Sequence, residues 1–169
     1  MLAELTLADA AEAGIRLARP EDDAAIHAVL VAGIFTLCRA AYGDAIVEAW
    51  AARRIPGLQD VIADGRFFVA ETSGEVVAIG GWSPESPDLA WIRALFVAPP
   101  LAGHGLGPRI LAEVERRAGG RGRTRFGARA GLNAVSFYAR QGYREIERGP
   151  LELDTGLVME HVLMWKGAR

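Results

Sequence analysis

Cysteine occurs once, at Cys38, and lysine once, at Lys166. A lone cysteine allows no intramolecular disulfide and no cysteine-based zinc cluster, which fits a reducing, cytoplasmic setting. The three histidines, His27, His104 and His161, stand apart without metal-ligand spacing, so no metal site is expected. The first residues, MLAELTLADAAEAGIRLARP, lack the basic start and apolar run of a leader. No later stretch reads as the roughly 20 apolar residues that a membrane span requires, so neither export nor membrane insertion is expected. With its only lysine at position 166, the chain cannot build a P-loop, which closes on Gly-Lys-Ser/Thr. Repeats, linkers and low-complexity segments are missing too, and one domain over residues 1–169 is the expectation.

The chain is 51% hydrophobic and 24% charged, a balance that supports a packed core at this length. Its net charge of -2 conceals an asymmetry. Residues 1–64 hold ten acids against five arginines, and residues 101–148 ten arginines against four glutamates. The second segment would attract an anion. It lacks the interleaved aromatics of a single-strand nucleic-acid binder, and a compact phosphorylated cofactor fits it better than nucleic acid.

Periodicity gives the element order. Pro20 with Glu21, Asp22 and Asp23 opens a helix whose apolar stripe is Ile26, Val29, Leu30, Gly33, Ile34 and Leu37, and a second helix runs from about Gly43 to Arg53. RFFVAE and EVVAIGGW, joined by a glycine-containing turn, read as a hairpin. LAWIRALFV reads as a central strand with Leu89, Trp91, Arg93, Leu95 and Val97 on one face and Ile92, Ala94 and Phe96 on the other. Helices from Leu106 to Gly119 and from Ala134 to Arg140, a strand at RTRFGARA between them, and two closing strands, Tyr143 to Glu147 and Leu157 to Trp165, complete the pattern.

The segment between the central strand and the Leu106 helix carries the chemistry. In AlaProProLeuAlaGlyHisGlyLeuGlyPro, a glycine-rich loop opens a helix, leaving backbone N–H groups free at the positive end of the helix dipole. Gly103, Gly105 and Gly107 present no Cβ to an approaching phosphate. A dinucleotide fingerprint would need glycine near position 110, which is Ile110.

About thirty residues on, LeuAsnAlaValSerPheTyrAlaArgGlnGlyTyr resembles the second signature of the GCN5-related N-acetyltransferases, and Val97-x-Pro99 with Gly105-x-Gly107 resembles the first. The resemblance implies a mixed α/β fold: a mostly antiparallel sheet of about six or seven strands, the fourth and fifth splayed, flanked by about four helices. It also implies acetyl-CoA as co-substrate. Leu95, Phe96 and Val97 would bond the pantetheine arm through their backbone. The backbone of Ala102, Gly103, His104, Gly105, Leu106, Gly107 and Pro108 would hold the pyrophosphate, with Asn133 contacting the pantetheine or nearby backbone. Tyr138 would be the general acid that protonates the departing thiolate, while a neutral amine attacks the acyl carbon and a strand N–H polarises the carbonyl. The segment TyrGlyAspAlaIleValGluAlaTrpAla is similar to the second helix of a group of small bacterial acetyltransferases.

Three positions depart from the family pattern. Ala102 replaces an Arg or Gln, leaving Arg109 as the supporting cation; His104 stands where Lys or Arg is common; and AlaTrpIleArg lacks the glutamate often used as base. Glu71 and Asp88 are the candidate substitutes, with a water chain or an amine acceptor of low pKa as the alternatives. Trp82, Arg93 and Phe35 are candidate acceptor-site residues, together with Trp50, Trp91 and Tyr42. Arg93 on an apolar strand needs a partner: an acidic group of the substrate, or Asp88 or Glu71. A small-molecule primary amine is the expected acceptor. The alternatives are protein or peptide N-acetylation and a non-catalytic acyl-CoA-binding module. A homodimer is left open, since final strands in this family often pair between subunits.

Overall fold

A computed structural model of the chain describes residues 5–167; residues 1–4 and 168–169 of the expected 1–169 domain lie outside the described residues. Seven strands form one sheet: β1 (Gly14–Leu17), β2 (Phe67–Thr72), β3 (Glu75–Pro84), β4 (Leu89–Val97), β5 (Arg125–Gly131), β6 (Arg144–Glu152) and β7 (Val158–Lys166). Their order is β1-β2-β3-β4-β5-β7-β6, with β4 in the middle as its two-sided apolar pattern predicts. Every neighbouring pair is antiparallel except β4 and β5, which run parallel. The β2–β3 hairpin turns at Ser73 and Gly74, both at positive φ, the backbone that matches strand twist in two-residue turns.

Helices cover both faces. On one side lie α1 (Leu7–Glu12), α6 (Leu106–Gly119) and α7 (Val135–Arg140); α6 buries Leu106, Ile110, Leu111, Val114 and Ala118 completely or nearly so. On the other lie α2 (Asp23–Gly33), α3 (Arg39–Tyr42), α4 (Asp44–Ala51) and α5 (Leu58–Ala63), packed through Ile26, Val29, Ile34, Val47 and Ile62. The sequence reading names only four helices. It misses α1, α3 and α5, whose four to six residues display too little of a helical period, whereas the equally short α7 is marked by the glycine stop at Gly142.

The first helical run needs a further correction. Pro20–Tyr42 spans 23 residues at a mean hydropathy of 1.8, long and apolar enough by length and composition to cross a membrane. Here it is broken by a π-turn at Ile34–Cys38, and its inner side, Ile26, Val29, Leu30, Ile34 and Cys38, belongs to the core beneath β2 to β4. The break adjoins Gly33, where an added Cβ would lie 2.6 Å from the ring of Phe96. The helix thus comes into direct contact with β4 just where the site forms.

The face assignment of β4 is also corrected. The register with β3 steps from Ile79↔Phe96 to Gly81↔Arg93, so Gly80 alone faces Ala94 and Leu95. Ala94 takes φ 47°, a left-handed conformation costly for a residue with a Cβ. The extra residue puts Ile92 with Leu95 and Val97 on the α6 side, and Ala94 with Phe96 on the α2 side.

Candidate active site

Strands β4 and β5 pair only at Leu89↔Arg125, Ala90↔Phe126 and Trp91↔Gly127. Beyond Trp91 they part, although β4 continues to Val97 and β5 to Gly131. The opening leads into a cavity of about 940 Å³, lined on the strand side by Ile92 to Val97 and Arg129 to Gly131. Its size lies at the upper end of the range usual for ligand pockets, roughly 300–1,000 Å³.

One end of the cavity is the glycine loop. Gly103 and Gly105 adopt φ 81° and 88°, and Gly105 caps α6. The N–H groups of Gly103, Gly105, Leu106 and Gly107 have no backbone acceptor among the described residues. Gly107 packs tightly, since a Cβ there would stand 3.1 Å from the ring of Phe137 on α7, which would have to give way by a few tenths of an ångström. Ala102, Gly103, Gly105, Gly107 and Pro108 line the cavity. Leu106 turns its side chain fully into the core, leaving only its backbone to the loop, and His104 is exposed outside the lining. Arg109 is otherwise engaged: its guanidinium donates to the carbonyls of Ala10 and Ala13 at 2.8 and 2.6 Å and holds the end of α1. A further cation, Arg140, lines the cavity from the end of α7, the helix whose Phe137 packs against Gly107 of the loop.

Leu95, Phe96, Val97, Asn133 and Tyr138 all border the cavity. Tyr138 is 7% exposed, its ring edge-on to Phe137 and Tyr143 at 5.1 Å each. Burial first, and the negative Glu115 second, push its phenol well above the usual value. Asn133 interacts with Cys38, whose thiol burial raises to about 11. A roof is formed by Tyr42, Trp50 and Phe96 in successive edge-to-face contacts at 6.0 Å. Tyr42 is a strut rather than a lining residue: its hydroxyl accepts from the N–H of Leu132 at 2.7 Å and donates to the carbonyl of Glu160 at 2.6 Å.

The acceptor candidates divide. Arg93, Trp50 and Trp91 line the cavity. Trp82 and Phe35 do not: Trp82 is 1% exposed within the α6-side core, below three arginines, and Phe35 packs against the α2-side core and the Arg39 guanidinium. Alternation alone cannot tell which apolar face of a two-sided sheet opens into a cleft. The candidate bases are committed elsewhere. Glu71 accepts from Arg16, which also grips Asp22, and Asp88 accepts from Ser86 and Arg125. Neither pairs with Arg93, which donates instead to the Pro56 carbonyl at 2.7 Å.

Sequence reasoning missed Arg53, Arg54, Arg129, Arg140 and Glu85, all on the cavity wall. Glu85 is the one carboxylate there among the described residues, but it follows Pro84, which pairs with Ala90. Ala94 lies four positions beyond Ala90, about 13 Å along the strand, too far for direct proton transfer.

The comparisons agree with this geometry. The model of the acetyltransferase (GNAT) family matches residues 31–143. No curated protein matches the chain. Among solved structures, a GCN5-related N-acetyltransferase from Rhodopseudomonas palustris is 27% identical with a TM-score of 0.76, over 92% of this chain and 96% of that one. The PaiA N-acetyltransferase of Thermoplasma acidophilum, in complex with coenzyme A, is 17% identical with a TM-score of 0.73, over 93% and 99%. A ribosomal-protein-alanine N-acetyltransferase from Brucella melitensis is 23% identical with a TM-score of 0.66, over 92% and 99%. The matched segment contains the splayed strand β4, the glycine loop and Tyr138, and the chain belongs to the acetyltransferase (GNAT) family.

Proposed function

We propose that the protein transfers an acetyl group from acetyl-CoA to the primary amine of a small molecule. The observation that carries this reading is the single cavity that joins the unpaired stretch of β4, the glycine loop and Tyr138. The residues present fit the co-substrate. A phosphorylated chain would lay its phosphates against the free N–H groups at the start of α6, with Arg140 beside them, and its slender arm between β4 and β5. When bound, acetyl-CoA supplies a thioester carbon open to attack. Around that carbon the backbone of the Ala94 bulge can direct an N–H at the carbonyl oxygen, because it is released from the β3 ladder there. Tyr138 keeps its proton and can give it to the departing sulfur. No carboxylate on the wall lies close to the bulge, so the amine's proton leaves through water.

The acceptor side favours a small molecule over a peptide. A cationic peptide substrate would need an acidic groove, whereas this wall carries Trp50, Trp91, five arginines and one glutamate. Isothermal titration with acetyl-CoA and CoA, followed by thiol release against a panel of amines, tests the reading. Binding with amine-dependent CoA release is expected. Binding with no release for any amine would turn the reading to a non-catalytic acyl-CoA-binding module, and no binding would remove acetyl-CoA from it.

A further inference from the structure

The arginines of the cavity wall are not equivalent. Arg53 is paired with Asp154 at 3.1 Å and Arg54 with Asp23. Arg140 ends α7, whose Phe137 packs against Gly107, and belongs to the side of the cavity assigned above to the phosphates. Arg93 and Arg129 remain, and neither forms an ion pair among the described residues: Glu85 lines the same cavity as Arg93, and Glu147 stands on the row of Arg129 across Leu163, but neither carboxylate is bonded to them. Arg93 is half-buried, with the Pro56 carbonyl as its hydrogen-bond partner, and Arg129 lays its guanidinium 5.0 Å from the centre of the Trp91 ring.

The register shows how these two cations stand. Trp91 pairs with Gly127 in parallel, and the Trp91 ring fills the place of the missing Gly127 side chain, where a Cβ would lie 2.6 Å from it. Both positions therefore point to one face of the sheet. Two residues further along each strand come Arg93 and Arg129, on that same face, at the same level, on opposite banks of the splay. Arg93 immediately precedes the Ala94 bulge. Desolvation of Arg93 costs free energy unless an anion compensates it, and burial together with the nearby Arg66 already depresses its pKa. Two guanidinium groups without an ion-pair partner, flanking a cleft, are suited to a carboxylate, which each can engage through two N–H donors.

Resting on the transferase reading above, we propose that the acceptor is an amine that carries a carboxylate, an amino acid or a close analogue, with Arg93 and Arg129 holding the carboxylate from the two banks while the amine faces the bulge. Trp91, which lines the cavity beneath Arg129, gives the acceptor's carbon skeleton an apolar floor. The N-terminus of a protein, whose first carboxyl group is tied up as an amide, does not satisfy this pair.

The test uses the proteinogenic amino acids and their α-carboxamides with the whole enzyme. Binding is measured by titration into enzyme saturated with CoA, and turnover by CoA release from acetyl-CoA. At least one amino acid is expected to bind, with a kcat/KM at least about 30-fold above that of its carboxamide. Arg93→Gln and Arg129→Gln should each erase most of that ratio by raising KM for the acid far more than for its carboxamide. Equal use of acids and carboxamides, or a ratio that survives both substitutions, would overturn the proposal and leave the transferase reading intact. Arginine-dependent binding of an amino acid without CoA release would uphold the anion site and defeat the transferase reading. If no amino acid binds, the proposal falls.

Discussion

A phenol serves as an acid only while it keeps its proton, and burial secures this for Tyr138: its pKa is raised, first by desolvation and then by Glu115. Its ionisation therefore contributes no loss of activity in the alkaline range up to pH 10. Tyr138→Phe should lower kcat by about 100-fold, a typical general-acid contribution, with CoA affinity unchanged by titration calorimetry. Undiminished turnover would remove the hydroxyl from the reaction. Cys38 illustrates the opposite use of burial. It borders the cavity but is 1% exposed, and its pKa of about 11, set by desolvation against a smaller opposing effect of Asn133, leaves about one thiolate in a thousand at pH 8. The native enzyme should react with a disulfide reagent at neutral pH far more slowly than the single thiol of the denatured chain, and faster as pH approaches 11. Rapid stoichiometric labelling of native protein at pH 7.5 would show that the thiol is activated. The residue scale is also where the sequence was least legible: Arg93 stood out as a charge on an apolar strand, but its counterpart Arg129 did not, because only the β4–β5 register brings them level.

Among elements, the loop between β4 and α6 was readable because its chemistry is local. Glycines at left-handed positions and free helix N–H groups follow from a few consecutive residues, and Gly103 and Gly105 do take positive φ. Gly105→Val places a branched side chain at φ 88°, where nothing lies within 4 Å of a Cβ, so the penalty is backbone strain rather than a clash. The loop should relax out of its cradle shape. CoA binding should be lost at concentrations that saturate the wild type, with a melting temperature within a few degrees of it, since the strain costs about 1–2 kcal/mol. Retained affinity would mean that the phosphates bind elsewhere. The bulge in β4 was not legible. LAWIRALFV alternates without interruption, and the step in register comes from Gly80 on the partner strand, whose missing side chain leaves room for Leu95 and for Ile110 of α6. Arg109 likewise read as a phosphate ligand from its place in the loop sequence, whereas its role is fixed by α1, nearly a hundred residues earlier in the chain.

For the whole molecule, the charge asymmetry visible in the sequence becomes a distribution in space. The arginine-rich segment supplies β5, α7 and the start of α6, which enclose the opening of the cavity, but many of its charges are neutralised locally: Arg116 and Arg117 by Glu113, Arg125 by Asp88, Arg148 by Glu145. The field felt by an anion therefore comes from fewer charges than the composition suggests, chiefly Arg109, whose carbonyl partners leave its charge intact, Arg140 at the end of α7, and Arg93 with Arg129 at the acceptor side. Such groups, partly open to solvent, are screened by salt, with a Debye length of about 10 Å at 0.1 M and about 3 Å at 1 M. Raising the salt from 0.05 M to 0.5 M should weaken CoA binding by about tenfold, mostly through slower association. Arg140→Ala should reduce both the affinity at low salt and the steepness of its decline, because the charge it deletes is one of those being screened. Hydrogen bonds from the loop N–H groups depend on contact geometry, so a residual affinity independent of salt should persist in wild type and variant alike. An affinity that does not change with salt would assign the recognition of the phosphates to those backbone groups alone and leave Arg140 without a part in it.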